Sequence, residues 1–456
     1  MNDAYSPRAD EATVAAFMAA VRGPEAEPGL AAAFGVNRSC ALEDYDEIAV
    51  PSFDVDGEFV AYASPEATYA LTKAFLQAAT ASIVIGIYDF TAGYMKELLL
   101  QAMRRGVKVT LMLDLDGREG ETPLFEELKT FGCKAVPAPS CASEHAHFFS
   151  SSHEKAIVID DTWTLVQSGN YSDNSIPFNE HDGGDLAAFV PGNRDMGLAV
   201  RSPELAAFAR DLLRSDIQLE LDGAGGVALG AMALAEPLVL LQAAPEAPPP
   251  RLFPSKRFTP GTPVRVTPVL SPDNYMDVVP DFLAAAERSI VIEQQYIRGN
   301  QPTIQRLLRA VREAMDRTST LQVRIVLGQP FPGSDFARNT QEIRDLGPNF
   351  GLFLGTHVKL ITHEFFVHCH NKLIIVDEET VLVGSQNWST SAVAKNREMS
   401  LLVRYPELAR HYQSIFDLDW ETGLDDFPEP DDNFFAAAAL PAGGLVRLNL
   451  GDYIEV

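Results

Sequence analysis

Three stretches of this chain occur twice, in the same order. Ser82-Ile-Val-Ile-Gly-Ile-Tyr88 is echoed by Ser289-Ile-Val-Ile-Glu-Gln-Gln-Tyr296. His153-Glu-Lys155-Ala-Ile-Val-Ile-Asp160 is echoed by His370-Asn-Lys372-Leu-Ile-Ile-Val-Asp377. Val200-Arg-Ser-Pro-Glu-Leu-Ala206 is echoed by Val403-Arg-Tyr-Pro-Glu-Leu-Ala409. The copies lie about 210 residues apart (82 to 289 is 207, 153 to 370 is 217, 200 to 403 is 203). A near-constant offset means an internal duplication with small insertions. It also suits the 456-residue length, which is too long for one ordinary core but right for one fold built twice.

Each copy reads as strand, helix, strand. Ser82–Tyr88 is a short β-branched run, hence a buried strand. Tyr94–Arg105 has helical spacing and stops at Gly106, and Val107–Leu113 is the next strand. The second copy repeats this with a helix over Ile304–Met315 and a strand over Leu321–Leu327. The order predicts an α/β protein of two pseudo-symmetric α/β/α halves, each with a central mixed sheet flanked by helices. The expected division is an N-terminal extension over 1–60, a first half over 61–222, a Pro-rich linker over 223–265, a second half over 266–420 and an acidic tail over 421–456.

The net charge of -27 argues against non-specific binding of nucleic acid and against electrostatic adhesion to anionic membranes. It leaves room for a small basic pocket. No secretory leader is read at the N-terminus, and the apolar stretch Val227–Ala244 is broken by Glu236-Pro237 and too short to span a bilayer. The four cysteines, Cys40, Cys133, Cys141 and Cys369, show no metal-type spacing. They read as free thiols of a cytoplasmic protein, with Cys133–Cys141 the pairing to consider on export.

The chemistry sits in the repeated His-x-Lys-x4-Asp. His and Lys two apart on a strand point to the same face, where an ammonium neutralises phosphate oxygens and an imidazole attacks phosphorus or donates a proton. Ten residues after each motif Asp stands an Asn, Asn170 and Asn387, which adds a neutral donor. Each half then reaches an acid in a matching tripeptide, Asn193-Arg194-Asp195 and Asn396-Arg397-Glu398. Asp195 and Glu398 are the candidates for orienting the imidazoles. The candidate catalytic set is His153, Lys155, Asp160, Asn170 and Asp195 with His370, Lys372, Asp377, Asn387 and Glu398, with a more structural part expected for Asp160 and Asp377 at the far strand ends. Two such half-sites around one phosphorus supply a nucleophile, a general acid and charge stabilisation.

These motifs resemble the phospholipase D superfamily, whose signature is the duplicated motif followed by Gly-Ser-x-Asn. The resemblance covers roughly residues 65–420. The second half fits it fully at Gly384-Ser-Gln-Asn-Trp388; the first has Gln167 where the family usually has Gly. It also has 25 residues from Asn170 to Asp195 against 11 from Asn387 to Glu398, fourteen more. The resemblance implies a metal-free, cofactor-free, two-step reaction through a phosphohistidine. His153 is the expected nucleophile and His370 the expected acid. The expected substrate is a phospholipid, with hydrolysis or transfer of the phosphatidyl group to an alcohol, in a chain that works as a monomer. The alternatives are a nuclease of the same superfamily, which the net charge disfavours, and a catalytically silent binding protein on this scaffold.

Several features read as structural. Cys369 alternates away from His370 on a strand, so His368-Cys369-His370 is not a metal cluster. Asp114 and Asp116 are ordinary strand-end aspartates. Tyr171 and Trp388 are packing residues, and the acidic run from Asp425 to Asp432 is a solvated segment.

Overall fold

The computed structural model describes residues 40–118, 120–223, 239–330, 336–428 and 445–449. In the first half the chain runs β1 (Phe53–Val55), β2 (Phe59–Ser64), α1 (Thr68–Ala78), β3 (Ser82–Ile87), α2 (Gly93–Arg104), β4 (Lys108–Leu113), α3 (Glu121–Phe131), β5 (Lys134–Pro137), β6 (Lys155–Ile159), β7 (Trp163–Gln167), β8 (Asp195–Arg201) and α4 (Pro203–Gly223). Strands β9 (Val239–Ala243) and β10 (Lys256–Phe258) follow. The second half repeats the pattern as β11 (Val264–Ser271), α5 (Tyr275–Ala284), β12 (Ser289–Gln294), α6 (Pro302–Arg317), β13 (Gln322–Leu327), α7 (Phe336–Phe350), β14 (Val358–Leu360), β15 (Lys372–Val376), β16 (Thr380–Gly384), α8 (Thr390–Ala394), β17 (Glu398–Arg404) and α9 (Pro406–Thr422). Strand β18 (Leu445–Asn449) pairs antiparallel with β9.

Each half carries one eight-stranded mixed sheet, in the orders β10-β2-β8-β7-β6-β3-β4-β5 and β1-β11-β17-β16-β15-β12-β13-β14. The strand–helix–strand units lie parallel, β3 with β4 and β12 with β13, as the crossover helices require. The motif strands β6 and β15 run antiparallel to β3 and β12. Almost every residue of these central strands is buried, which explains their unbroken β-branched runs. A large core lies between the sheets, built from Val84, Val158 and Leu198 of one half and Val291, Ile375 and Val383 of the other, with residues of α4 and α9. Two further cores lie between each sheet and its outer helices.

Two expectations need correction. The division at 61 and 265 cuts through structure, because the edge strands are exchanged. Strand β1, placed in the extension, pairs with β11 of the second sheet, and β10, placed in the linker, pairs with β2 of the first. Short strands with few apolar residues carry too weak a periodicity to be read as strands. The thiols are not all free: Cys40 and Cys141 form a disulfide, while Cys133 and Cys369 are free and buried. Residues 40–50 run across both halves, which brings Cys40 to Cys141, and this pairing removes the thiol count as support for a reducing compartment. Much of the Val227–Ala244 stretch and of the acidic run, with residues 1–39, lies outside the described residues. Among the described residues no helix is long and apolar enough to cross a membrane.

The motif aspartates close the sheets at the end opposite the histidines. Asp160 and Asp161 have φ of 52° and 50°, and Asp377 and Glu378 have 58° and 54°. These left-handed positions form the β6–β7 and β15–β16 turns, which Asp tolerates better than most residues. The Asp160 carboxylate accepts from the amides of Thr80, Ala81 and Ser82 at 2.8, 2.8 and 2.9 Å. Asp377 accepts from those of Glu287, Arg288 and Ser289 at 3.1, 2.6 and 2.9 Å. Burial pushes the Asp160 carboxyl up, but the Ser82, Thr80 and Ala81 amides outweigh it and hold the pKa below its ordinary value. Its stabilisation is therefore full above the unfolded pKa and lost as pH falls through the folded one. Asp160→Ala should cost about 2–3 kcal/mol at neutral pH in urea unfolding, and the difference from wild type should shrink in acid.

Candidate active site

The tripeptides ending in Asp195 and Glu398 cross to the opposite half. His153 N donates to Arg397 O at 2.8 Å and Arg397 N to Ser151 O at 2.9 Å. His370 N donates to Arg194 O at 2.9 Å and Arg194 N to His368 O at 2.8 Å. Each Arg-acid segment thus adds a strand-like bridge beside the other half's histidine. The two arginines, both fully buried, anchor the crossing. Arg194 pairs with Glu66 and Asp419 at 2.8 and 2.9 Å over the ring of Phe366. Arg397 pairs with Asp273 and Asp216 at 2.6 and 2.8 Å over the ring of Phe149.

One residue beyond each arginine, the carboxylate meets the histidine of the opposite half. His153 Nδ1 stands 2.9 Å from Glu398 Oε1, and His370 Nδ1 stands 2.9 Å from Asp195 Oδ1. With Nδ1 engaged, Nε2 of each ring is the nitrogen left for chemistry. Ser168 Oγ donates to Asp195 Oδ1 at 2.7 Å and fixes that carboxylate in turn.

Each lysine ammonium donates to the carbonyl of its own motif histidine, Lys155 to His153 O at 2.6 Å and Lys372 to His370 O at 2.5 Å. The cluster is almost sealed, with exposures of 4% for His153, 1% for Lys155, 1% for His370 and 2% for Lys372. Burial pushes His153 well below the ordinary imidazole value, and Lys155, Lys372 and His370 push the same way. Burial and Lys372 lower His370 to about 4, against the pull of Asp195. Each histidine feels both lysines, so the two half-sites share one electrostatic environment.

The two carboxylates differ. Burial raises Asp195, but His370 and Lys372 outweigh it and hold it below its ordinary value. Glu398 is raised to about 8 by burial, with Lys155 opposing. Burial in turn lowers Lys155 to about 7. Both groups thus change protonation near neutral pH, and an anionic phosphate raises the proton affinity of each. Inorganic phosphate binding at pH 7.5 should therefore take up protons, measured by titration calorimetry in buffers of different ionisation enthalpy. Lys155→Met should reduce the uptake; equal uptake in both proteins would refute this origin.

Of the ten predicted residues, the structure brings His153, Lys155, Asp195, His370, Lys372 and Glu398 into the cluster. Asn170 and Asn387 are buried just beyond the ends of β7 and β16 on the same side. Asp160 and Asp377 lie at the opposite strand ends. The Gln167 departure has a packing explanation. Gln167 pairs across the sheet with Gly197, and its equivalent Gly384 pairs with Ser400, so bulk moves from one strand to its neighbour. Tyr62 Oη donates to Gln167 Oε1, and Gln167 Nε2 to Gly169 O at 2.7 Å.

Sequence reasoning missed several supports. Asp114, read as a turn residue, accepts from Ser151 Oγ at 2.9 Å and Ser152 N at 2.6 Å, and so holds the segment before His153. Tyr88 lays its ring 4.5 Å from that of His153, with Arg118 at 3.9 Å and Lys155 at 5.1 Å from the Tyr88 ring centre. Tyr45, in the extension, accepts from Arg397 at 2.6 Å. The position of Tyr88, ending the strand beside the motif strand, was the available signal. Tyr171 and Trp388 are fully buried packing residues, and Cys369 lies in the core.

Comparison with known proteins fits this geometry. A family model described as cardiolipin synthase, PLD-like domain, matches residues 72–214 and 279–420, one match per half and together more than half of the chain. Mitochondrial cardiolipin hydrolase of Danio rerio is 40% identical over 55 residues, 12% of this chain and 24% of that protein. The Mus musculus protein of the same name is 31% identical over 75 residues, 16% of this chain and 34% of that one. The matches thus span a quarter to a third of these relatives' length. The fold is similar to that of phosphatidylserine synthase from Haemophilus influenzae Rd KW20, with a TM-score of 0.57 and 13% identity over 84% of this chain and 91% of that one. The chain belongs to the phospholipase D superfamily, as a protein with two copies of the cardiolipin synthase-type PLD-like domain.

Proposed function

We propose that this protein hydrolyses phospholipids by a two-step, metal-independent phospholipase D reaction, with one chain as the working unit. The crosswise pairing of two histidines with two carboxylates, beside two lysines in one buried cluster, carries this reading. His153 Nε2 attacks phosphorus; the P–O bond to the leaving alcohol breaks, and His370 delivers a proton to that oxygen. Neutral His370 then takes a proton from water, the water oxygen attacks phosphorus, and the P–N bond to His153 breaks. An acceptor alcohol in place of water gives transfer.

The roles of the two histidines follow from their partners. Asp195 keeps its charge and so supports an imidazolium at His370. Glu398 has a raised proton affinity, which favours a neutral His153 able to attack. The phosphodiester's negative charge raises the proton affinity of His370 on binding. Lys155 and Lys372 neutralise the phosphoryl oxygens, and Asn170 and Asn387 are proposed as further donors to them.

Two observations favour lipid over nucleic acid: the net charge of -27 opposes a polyanion, and the matched curated relatives are named cardiolipin hydrolases. Vesicles of phosphatidylcholine, phosphatidylethanolamine or cardiolipin, with EDTA present, should release the alcohol product. His153→Ala and His370→Ala should each lower the rate by about 10³-fold. With a p-nitrophenyl phosphodiester, whose leaving group needs no acid, His370→Ala should give a burst and accumulate phosphohistidine, while His153→Ala should give neither. Cleavage of DNA with no lipid product would move the same site to a nuclease.

A further inference from the structure

The fourteen additional residues of the first half lie in the loop between Asn170 and Asp195. This loop leaves the end of β7 and returns at the start of β8, on the side of the sheet that carries the site. Its base touches the opposite half, with Val367 N donating to Gly192 O at 2.9 Å. Its tip exposes three large apolar side chains, Phe178 at 43%, Leu186 at 67% and Val190 at 39%. The exposure does not come from a loose loop. Asn179 donates to Val190 O and accepts from Val190 N, both at 2.8 Å, and Tyr94 Oη donates to Ile176 O at 2.7 Å. Phe178 also packs on Tyr69, ring centres 4.7 Å apart. The other polar side chains at the tip are Glu180, His181, Asp182 and Asp185, three of the four acidic, with Glu180 paired to Lys73 at 2.6 Å.

A rigid frame that holds apolar side chains in water, beside a site read as lipid-cleaving, fits a surface that enters a bilayer interface. The acidic rim opposes anionic surfaces and leaves apolar insertion as the means of attachment. We propose that residues 177–190 dock the enzyme on zwitterionic phospholipid bilayers. This rests on the phospholipid reading above.

The test compares wild type, Leu186→Asp/Val190→Asp and, as a control outside the loop, Phe353→Asp, whose side chain is 52% exposed. Substrates are phosphatidylcholine–phosphatidylethanolamine vesicles and short-chain phosphatidylcholine kept monomeric; vesicle co-sedimentation is measured alongside. The double variant should lose at least tenfold in vesicle rate and sedimentation while keeping its rate on monomers, and the control should keep both. Wild-type sedimentation should change little with salt. An unchanged vesicle rate overturns the proposal, and so does an equal loss on both substrates with native circular dichroism. If the double variant does not fold, Leu186→Ser is read by the same criteria. If wild type cleaves neither substrate, the phospholipid reading fails; sedimentation then decides the docking, which stands if binding is lost in the variant and falls if it is kept.

Discussion

Each motif histidine is held by a carboxylate from the other half, and most of the molecule's architecture serves that contact. A single half contains a histidine, a lysine and an acid, but its acid pairs with the other half's histidine. Duplication alone would yield two incomplete sites; crosswise pairing makes one complete one. The four backbone bonds between the Arg-acid segments and the histidine segments fix the register, and the buried Arg194 and Arg397 anchor each crossing on two carboxylates. Burying such pairs is costly, and removing one partner costs more, because it leaves an uncompensated charge. The exchanged edge strands β1 and β10 and the shared central core add further ties. The geometry of the paired histidines therefore depends on how the halves pack, and core residues far from the site bear on it.

The pseudo-symmetry is broken around the two histidines. Asp195 and Glu398 occupy equivalent places, yet burial and neighbouring charge leave one ionised and drive the other toward protonation. Tyr88 and Arg118 attend His153, whereas the second half has Gln295 where Tyr88 stands. Elsewhere the differences compensate. A Cβ at Gly86 would stand 2.6 Å from Glu154 Oε1; the second half puts the acid on the neighbouring strand, as Glu293, and Asn371 in place of Glu154. Where Asp114 receives Ser151, Gly328 leaves room for His368, whose Cε1 would lie 2.6 Å from a Cβ there. Volume is conserved across each strand pair while identity changes, as close packing demands.

Much of the fold was legible because strong periodic signals are local. The β-branched runs at Ser82 and Ser289, the helices after them and the repeat offset all follow from contiguous residues. The motif residues were legible for the same reason, and the structural part of Asp160 and Asp377 followed from their distance along the strand. What stayed hidden is non-local. Asp195 and Glu398 were identified, but nothing in either half says that its acid serves the other half. Strands β1 and β10 are three residues each and take their stability from partners about 200 residues away. The Cys40–Cys141 bridge spans 101 residues and could not be chosen from spacing.

The crosswise pairing is tested most directly by nuclear magnetic resonance of the imidazole Nδ1 protons, assigned by 15N-histidine labelling with His153→Gln and His370→Gln. In Asp195→Asn the Nδ1–H signal of His370 should move or vanish while that of His153 persists, and Glu398→Gln should do the reverse. If Asp195→Asn instead perturbs His153 and spares His370, each acid serves its own half, and a single site assembled across the two halves is contradicted.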